Sequence, residues 1–319
     1  MRKNEKFLVE FVNEKKFFVL KNQSILQASL AAGIPHFHAC GGKAKCSTCR
    51  VLVLEGGESL TGSNQKEKIL KNKMQLSPQV RLACQTNITS GPVKMKRIIQ
   101  DETDIDLYID RKGTKSGQQM GKEAELILFF LDIRNFTRFV ETHLPFDVIH
   151  IIRKLFSVFQ NHIEANGGKI IETAGDGLYA VFGSGTDNMK QADRAVGTAY
   201  SIFSALEKMN RDYFVYHFNQ QIDIGIGMHV GKVVSGSIRL GDAEHTIVMG
   251  YPVNVASRLQ DATKTLNNNF IVSASFYHLL QQPPMAPFRS IRVKGISKAL
   301  RVFLMGKAYQ QMVDSKEGA

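Results

Sequence analysis

The segments FLDIRNFT (130–137) and ETAGDGLYAVF (172–182) decide the fold of the larger part of this chain. The first segment ends a near-continuous apolar run that begins at Glu125, which predicts a strand buried on both faces. The second places AGDG between two apolar runs, which predicts a β-hairpin with Asp176 at its tip. Each segment therefore puts one aspartate, Asp132 or Asp176, at the end of a strand.

Two carboxylates at neighbouring strand ends have the chemistry of a metal site. They could share two Mg²⁺ or Mn²⁺ ions that lie about 3.5–4 Å apart, as triphosphate chemistry needs. The residues after Asp132 lead into a predicted helix, whose free N–H groups can hold phosphate. A single aspartate at a strand end is usually a cap or a turn residue. The pair, each in its own distinctive segment, favours the metal site.

The rest of this region alternates between helical and strand patterns. Helical periodicity covers residues 137–165 and 187–209, and residues 221–229 and 232–238 alternate as a second predicted hairpin. Pro252 stands at a first-turn position of a further predicted helix. This mixture predicts helices packed on a sheet, in an α+β or α/β arrangement.

The first hundred residues differ in charge and composition from the others. They hold 17 Lys and Arg against 6 Asp and Glu, whereas the remaining residues hold 24 against 23. All four cysteines also lie there. Residues 7–12 and 16–20 predict a hairpin, and residues 24–33 predict a helix with Ser24 as N-cap. The chain of 319 residues therefore predicts two different domains.

The cysteine spacing in this basic region is informative. Cys40, Cys46 and Cys49 follow C-x5-C-x2-C in a Gly-rich loop, and Cys84 comes after 34 intervening residues. Three thiolates in one loop with a distant fourth suit a [2Fe–2S] cluster. Glycines let backbone N–H groups approach the sulfurs. Structural zinc and free thiols are the alternatives, but zinc ribbons usually show two C-x2-C pairs, and free thiols need no glycine loop.

Composition excludes several classes of protein. Hydrophobic residues make up 43% and charged residues 22%, which excludes a disordered chain. The sequence has no run of about 18 apolar residues, so no membrane-spanning helix is expected. The start, MRKNEKFLVEF, lacks the apolar core of a signal peptide, and we expect a cytoplasmic protein. The lysines are scattered without a nucleic-acid motif, so nucleic-acid binding is not expected.

The basic region resembles the adrenodoxin-like ferredoxins. The resemblance lies in SILQASLAAGI (24–34), CGGKAKCSTCRVLVLEG (40–56) and RLACQ (81–85). It implies a β-grasp fold, a [2Fe–2S] cluster on the four cysteines, and an electron donor or reductase as partner. Ferredoxins of this kind are commonly acidic, so this basic domain would suit an acidic partner.

The second region resembles the catalytic domain of class III nucleotidyl cyclases. The segments that carry the resemblance are FLDIRNFT, ETAGDGLYAVF, GIGMHVGKVVSGSI (225–238), VMGYPVNVASRL (248–259) and RVKGISKALRVF (292–303). It implies an α+β, ferredoxin-like βαββαβ fold and conversion of ATP or GTP to the 3′,5′-cyclic monophosphate and pyrophosphate. It also implies a head-to-tail homodimer in which each active site draws residues from both protomers.

The same resemblance implies roles for individual residues. Asp132 and Asp176, with the carbonyl of Ile133, match the ligands of two Mg²⁺ or Mn²⁺ ions. Phe136 matches a phenylalanine of the phosphate loop.

A second set would come from the other protomer of the dimer. Asn254 would orient the ribose, and Arg258 would neutralise charge on the α-phosphate. Lys294 matches the lysine that holds the terminal phosphates.

Two positions would read the purine base, and here they are Glu172 and Ile247. Adenylate cyclases typically have Lys with Asp or Thr, and guanylate cyclases have Glu and Cys. Glu172 can accept from both N1–H and N2–H₂ of guanine, whereas Ile247 fits neither pattern. A one-residue bulge that turned Thr246 inward would let Glu172 and Thr246 serve adenine. Because cyclases of bacterial type are mostly adenylate cyclases, we place ATP slightly ahead of GTP.

The sequence thus predicts four segments along the chain. They are a [2Fe–2S] domain at 1–97, a signal-transmitting linker at 98–124, a cyclase domain at 125–308 and a tail at 309–319. The linker is first acidic and then rich in Gly, Ser, Gln and Lys, which is typical of a flexible segment. This order of domains predicts redox regulation of a cyclase. The alternative is an electron-transfer or redox-sensing protein with a catalytically silent cyclase domain.

Overall fold

The computed structural model describes residues 5–99, 121–183, 187–240 and 243–309. The chain divides into two compact units, Met1–Gly121 and Lys122–Ala319. The division falls within the predicted linker 98–124, and residues 100–120 of that linker lie outside the described residues. All of the predicted tail after Tyr309 also lies outside them.

The first unit is built on a five-stranded sheet with the strand order β2-β1-β5-β3-β4. Its elements in chain order are β1 (Lys6–Phe11), β2 (Lys15–Leu20), α1 (Ile25–Ala31), β3 (Arg50–Glu55), α2 (Gln65–Met74), β4 (Val80–Leu82) and β5 (Val93–Arg97). Strand β1 pairs antiparallel with β2 and parallel with β5. The predicted β-grasp domain is therefore confirmed.

Helix α1 packs in the same apolar cluster as Cys49. It begins with a capping box, since Ser24 Oγ accepts from the Gln27 N–H and Gln27 Oε1 accepts from the Ser24 N–H, each at 3.2 Å. Beneath the helix, Phe11, Val51 and Met95 are fully buried. The same apolar cluster includes Cys49, so the cysteine loop rests directly on the core.

The second unit is built on a longer sheet with the order β12-β13-β11-β9-β6-β8-β7, and β10 pairs with β9. Its elements are β6 (Lys122–Ile133), α3 (Phe136–Thr142), α4 (Pro145–Ala165), β7 (Lys169–Ala174), β8 (Gly177–Phe182), α5 (Asn188–Met209), α6 (Val215–Phe218), β9 (Ile224–Leu240), β10 (Ala243–Met249), α7 (Tyr251–Thr265), β11 (Phe270–Ser273), α8 (Ala274–Tyr277), β12 (Phe288–Ile291) and β13 (Leu300–Leu304). Strands β9-β6-β8-β7 with α4 and α5 form the predicted ferredoxin-like βαββαβ unit.

Strand β6 is apolar on both faces, as predicted. Phe129 packs in the main core, which also contains Phe159 of α4 and Ala195 of α5. Leu128 packs on the opposite face, in a smaller cluster with Ala256 of α7. The sheet therefore has two layers of helix, and α7 lies on the face opposite to α4 and α5. None of the helices in the described ranges has the length and apolar character needed to cross a membrane.

Three local predictions differ from the structure. The hairpin predicted at 221–229 and 232–238 is wrong, because β9 runs unbroken to Leu240 and pairs with β10 instead. Gly231 lies inside this strand, where a Cβ atom would come within 2.5 Å of Pro252 Cγ, so the glycine permits close packing of α7 rather than a turn. The predicted helix 137–165 is broken before Pro145, and β6 begins at Lys122, ahead of the strand start predicted at Glu125.

Candidate functional site

The four cysteines come together as two adjacent pairs in the first unit. The thiols of Cys40 and Cys46 share a hydrogen bond, and so do those of Cys49 and Cys84. All four are free of disulfides. Gln85 Nε2 donates to the Cys84 Sγ at 3.3 Å and to the Gly42 carbonyl at 2.9 Å, which ties the segment of the fourth thiol to the loop of the other three.

Backbone N–H groups of the loop are directed at these sulfurs. Those of Lys43, Lys45 and Cys46 reach the Cys40 sulfur, and that of Ala44 reaches the Cys84 sulfur. The loop can present them because Gly42 and Ala44 have left-handed φ angles of 81° and 54°. Such donors stabilise thiolate, which is the form of cysteine that binds metal.

The electrostatics of the Cys49–Cys84 pair agree with that chemistry. The hydrogen bond from the Cys49 thiol lowers the pKa of Cys84 to about 6, although burial opposes this effect. The same hydrogen bond, followed by burial, raises the pKa of Cys49. Four thiols in two pairs, with N–H donors around them, fit a [2Fe–2S] cluster held by all four cysteines.

The two predicted metal-binding aspartates are neighbours in the second unit. Asp132 lies near the end of β6 and pairs with Gly177, the residue after Asp176. The Ile133 N–H donates to the Asp176 carbonyl at 3.4 Å. Burial, and then the negative charge of Asp176, raises the pKa of Asp132. Two half-buried carboxylates that repel each other fit divalent cations, which would remove the repulsion.

Arg134 is a buried residue that contacts Asp132. The sequence analysis did not identify this arginine. This arginine is 8% exposed and its Nη1 lies 3.5 Å from Asp132 Oδ2. Its guanidinium also donates to the Gln260 carbonyl at 3.3 Å, the Thr263 hydroxyl and, at 3.0 Å, the Tyr309 hydroxyl. An arginine two residues after a strand-end aspartate looks solvent-exposed in the sequence, and only the packing of α7 buries it.

A groove of about 560 Å³ lies on the sheet face that carries α7. Its lining brings together three predicted residues, Asp132, Glu172 and Asn254. The rings of Phe130 and Tyr179 also line it, and they are stacked with centroids 4.5 Å apart and planes 14° apart. The groove therefore joins Asp132, a flat aromatic surface and polar groups on two other elements.

Seven predicted residues are absent from the lining of this groove in the part of the chain that the structure describes: Ile133, Phe136, Asp176, Thr246, Ile247, Arg258 and Lys294. Arg258 lies one turn beyond Asn254 on α7, and its Nη1 donates to Asp261 Oδ2 at 2.7 Å. Lys294 is exposed in a turn between β12 and β13. One chain by itself thus presents only part of the predicted set at the groove.

The one-residue bulge that would turn the Thr246 side chain inward is not observed. The β9–β10 ladder is regular there, with Thr246 opposite Ser237 and Ile247 opposite Gly236. The Thr246 hydroxyl accepts from Lys169 Nζ of β7 at 3.0 Å. The register irregularity lies instead in β7, between Ile170 and Glu172.

Phe136 is the first residue of α3 and follows Asp132 closely in the chain. Its ring is half-buried against the main core and stacks on Phe139 at 6.1 Å. Asn135 precedes it with a left-handed φ of 55°, which produces the sharp change from strand to helix.

Tyr179 is a second residue that sequence reasoning missed. It is 7% exposed, and its hydroxyl has no hydrogen-bond partner among the described residues. Burial, and then the charge of Glu172, raises the pKa of Tyr179. In the sequence Tyr179 is one of several residues in an apolar run. No local pattern therefore distinguishes it from an ordinary core residue.

Comparison with known proteins finds a family match in each unit. The family model of the adenylate and guanylate cyclase catalytic domain matches residues 119–306, and that of the 2Fe-2S iron-sulfur cluster binding domain matches residues 11–89. The chain is 29% identical over 202 residues to adenylate cyclase 1 of Rhizobium meliloti (strain 1021), covering 60% of this chain and 30% of that protein. It is 28% identical over 185 residues to adenylate cyclase of Anabaena cylindrica, covering 56% and 36%.

Solved cyclase structures share the fold of the second unit. The adenylyl cyclase CyaB from P. aeruginosa matches with a TM-score of 0.53 at 21% identity, covering 60% of this chain and 97% of that one. The guanylyl cyclase Cya2 matches with a TM-score of 0.53 at 23% identity, covering 60% and 96%.

The chain spans about a third of the length of the two curated relatives described above. The matched region of the cyclase model covers more than half of the chain and contains the aspartate pair and the groove. The chain therefore belongs to the family of adenylate and guanylate cyclase catalytic domains, here preceded by a 2Fe-2S iron–sulfur cluster binding domain.

Proposed function

We propose that this protein is a nucleotidyl cyclase that converts a purine nucleoside triphosphate to its 3′,5′-cyclic monophosphate and pyrophosphate. The observation that carries the proposal is the groove in which Asp132, Glu172 and Asn254 meet, with Asp176 next to Asp132. Such a groove offers a place for metal, base and ribose at once. Family membership makes cyclisation the reaction that fits this set of groups.

Asp132, Asp176 and the Ile133 carbonyl would hold two Mg²⁺ or Mn²⁺ ions. When bound, these ions would lower the pKa of the ribose 3′-hydroxyl and neutralise charge on the phosphates. The chain itself contributes the position of the carboxylates. Arg134 restrains Asp132 through the contact at 3.5 Å, and the Ile133 N–H restrains the Asp176 backbone by donating to its carbonyl at 3.4 Å.

Asn254, Arg258 and Lys294 would act on the ribose and the phosphates. Asn254 would orient the ribose, Arg258 would neutralise the α-phosphate, and Lys294 would hold the terminal phosphates. The ion pair of Arg258 with Asp261 does not prevent this, because the arginine side chain is 42% exposed. An exposed pair of this kind is worth about 0–1 kcal/mol, so a phosphate can displace the aspartate. Phe136 would support the phosphate loop from the core.

We further propose a head-to-tail homodimer. Each site would take the aspartate pair from one copy and Asn254, Arg258 and Lys294 from the other. In agreement with this, Arg258 and Lys294 do not line the groove that contains Asp132 of their own chain. Val234, Met249 and Tyr251 are exposed apolar side chains of β9, β10 and α7, near the groove-lining residues. Their burial between two copies would favour association.

ATP is the first candidate substrate. The two curated relatives described above are named adenylate cyclases, and they match at 28–29% identity. GTP is the second candidate, and a specific observation favours it. The Glu172 carboxylate lines the groove and can accept from two guanine donors, whereas the Thr246 hydroxyl already accepts from Lys169. Ile247 supplies no polar group to either base.

The [2Fe–2S] domain is proposed to regulate the cyclase by redox state, with electrons from a partner that is acidic because this domain is basic. One-electron reduction changes the charge of a cluster by one unit, which is enough to bias an interface by a few kcal/mol in a low-dielectric shell. Four free cysteines suit a reducing compartment, so we propose a cytoplasmic location.

The test uses the full chain purified without oxygen. ATP and GTP are each supplied with Mn²⁺, before and after reduction by dithionite, and the products are identified by mass. A 3′,5′-cyclic product supports the reaction and identifies the base, and a rate change on reduction supports regulation. Absence of cyclic product from both purines would contradict the proposed reaction and favour an electron-transfer protein. An unchanged rate on reduction would contradict redox control.

A further inference from the structure

The hydroxyl of Tyr179 lies in an unfavourable environment. It is buried and has no hydrogen-bond partner among the described residues, although its ring lines the groove. A buried hydroxyl without a partner is destabilising, because it has lost its hydrogen bond to water and gained none in return. Buried polar groups in native proteins almost always find partners. A partner that takes up its position when ligand fills the groove would explain this one.

The position of the Tyr179 ring is fixed by the sheet. Tyr179 pairs with Phe130 across β8 and β6, and the two rings stack at 4.5 Å. Phe130 in turn pairs with Gly227 of β9, where α7 packs so closely that a Cβ would lie 2.3 Å from the Gln260 backbone nitrogen. The aromatic pair is thus held against the sheet beside α7, and the phenol has little freedom to seek a partner by itself.

Glu172 stands directly opposite Tyr179 in the β7–β8 ladder. Directly opposed residues of an antiparallel pair share one face of the sheet with Cβ atoms about 5 Å apart. Glu172 is exposed, so its carboxylate is free to rotate. The register irregularity between Ile170 and Glu172 lies at this point of β7, and irregularities of this kind re-aim a side chain.

We propose that Tyr179 is the positioning residue for purine selection. Its hydroxyl donates a hydrogen bond to the Glu172 carboxylate when nucleotide fills the groove, and the oriented carboxylate accepts from the N–H groups of the base. An ionised carboxylate has about four acceptor positions, so one bond from tyrosine leaves room for the purine. The inference deepens the proposed function and rests on it.

The experiment is a double-variant cycle on the full chain. Tyr179→Phe, Glu172→Ala and the double variant are compared with wild type, with Tyr200→Phe as the matched control. Tyr200 donates to the Met305 carbonyl at 3.2 Å, so its loss removes a tyrosine hydrogen bond from another part of the same unit. The readout is the ratio of kcat/KM for ATP to that for GTP, with Mn²⁺.

We expect Tyr179→Phe to change this ratio by roughly 3- to 10-fold, which is the range for one lost hydrogen bond. The same substitution should change nothing in the Glu172→Ala background, and Tyr200→Phe should leave the ratio at its wild-type value. The melting temperature of ligand-free Tyr179→Phe should equal or exceed that of wild type, because an unpaired buried hydroxyl is removed.

Three results would overturn the inference. One is an equal effect of Tyr179→Phe with and without Glu172, since the tyrosine would then act independently of the carboxylate. Another is a lower melting temperature with an unchanged purine ratio, which would show a structural role. The third is an unchanged ratio in Glu172→Ala, which would remove the base-reading role of Glu172 as well.

Failure of the proposed function is distinguished by a second measurement. If wild type forms no cyclic product, the cycle is repeated on the equilibrium Kd values of Mn²⁺-ATP and Mn²⁺-GTP. Coupling between positions 179 and 172 in the Kd ratio would support the inference while the reaction itself is rejected. A chain that binds neither nucleotide, or that shows no coupling in either measurement, overturns it.

Discussion

The cysteine loop and the groove bring functional groups together in different ways. Cys40, Cys46 and Cys49 lie within one short loop whose own backbone N–H groups approach the sulfurs. The groove instead collects Asp132 from β6, Glu172 from β7 and Asn254 from α7. The first arrangement depends on local backbone geometry, and the second depends on strand register and on how α7 packs. The groove is therefore the more sensitive of the two to distant contacts.

The strongest test separates the two regions chemically. Asp132→Asn should lower cyclase activity at least about 100-fold, since one carboxylate of the proposed metal pair is lost. The visible absorption of the [2Fe–2S] domain should not change, because the aspartate lies in the other unit. Asp212→Asn is the matched control, because Asp212 is an exposed aspartate that pairs with its neighbour Arg211. A parallel loss of colour and activity in Asp132→Asn would show that the regions are not independent.

The reciprocal substitution removes one thiol of the [2Fe–2S] domain. Cys49→Ser should lose most of the bound iron and the visible absorption, because Cys49 shares its thiol hydrogen bond with Cys84 and lies in the core of the unit. Iron is measured by a colorimetric assay, and Ser77→Ala, at an exposed loop position, serves as control. Full iron content in Cys49→Ser would contradict ligation by this cysteine.

A mixing experiment tests whether the groove is completed by a second chain. Asp132→Asn and Arg258→Ala should each be inactive alone. Mixed in equal amounts with exchange of protomers, they should recover about one quarter of wild-type activity, because half of the dimers are mixed and each contains one intact site. Rates are measured at fixed total protein. No recovery, despite exchange shown by mass, would mean that one chain supplies both residues to its own site.

The smallest expected effect concerns the support behind Asp132. Arg134→Met should lower the free energy of unfolding by about 1–3 kcal/mol, because the carbonyl of Gln260 and the hydroxyls of Thr263 and Tyr309 lose their buried donor. Urea unfolding measures this difference. Arg153→Met, at an exposed position of α4, should stay within about 0.5 kcal/mol of wild type. Equal stabilities of the two variants would mean that Arg134 contributes nothing to packing.

Patterns in the sequence predicted much of the fold. The predictions were wrong where one residue type is compatible with two different local structures. The apolar run before Asp132 was a strand buried on both faces, and Ser24 was an N-cap, as predicted. Gly231 was predicted to lie in a turn, but it is a strand residue that packs against Pro252. Glycine is common both in turns and where two segments pack closely. The roles assigned to Asn254, Arg258 and Lys294 stay predictions.

By itself the sequence determined the elements whose causes are local. Cysteine spacing with left-handed loop positions, helix caps and apolar periodicity act over a few residues, so they are readable along the chain. Only the tertiary structure decided that Arg134 lies behind Asp132, that Lys169 engages Thr246, and that Tyr179 stands opposite Glu172. These contacts join elements far apart in the chain, and their geometry follows from strand register and close packing, which no local propensity encodes.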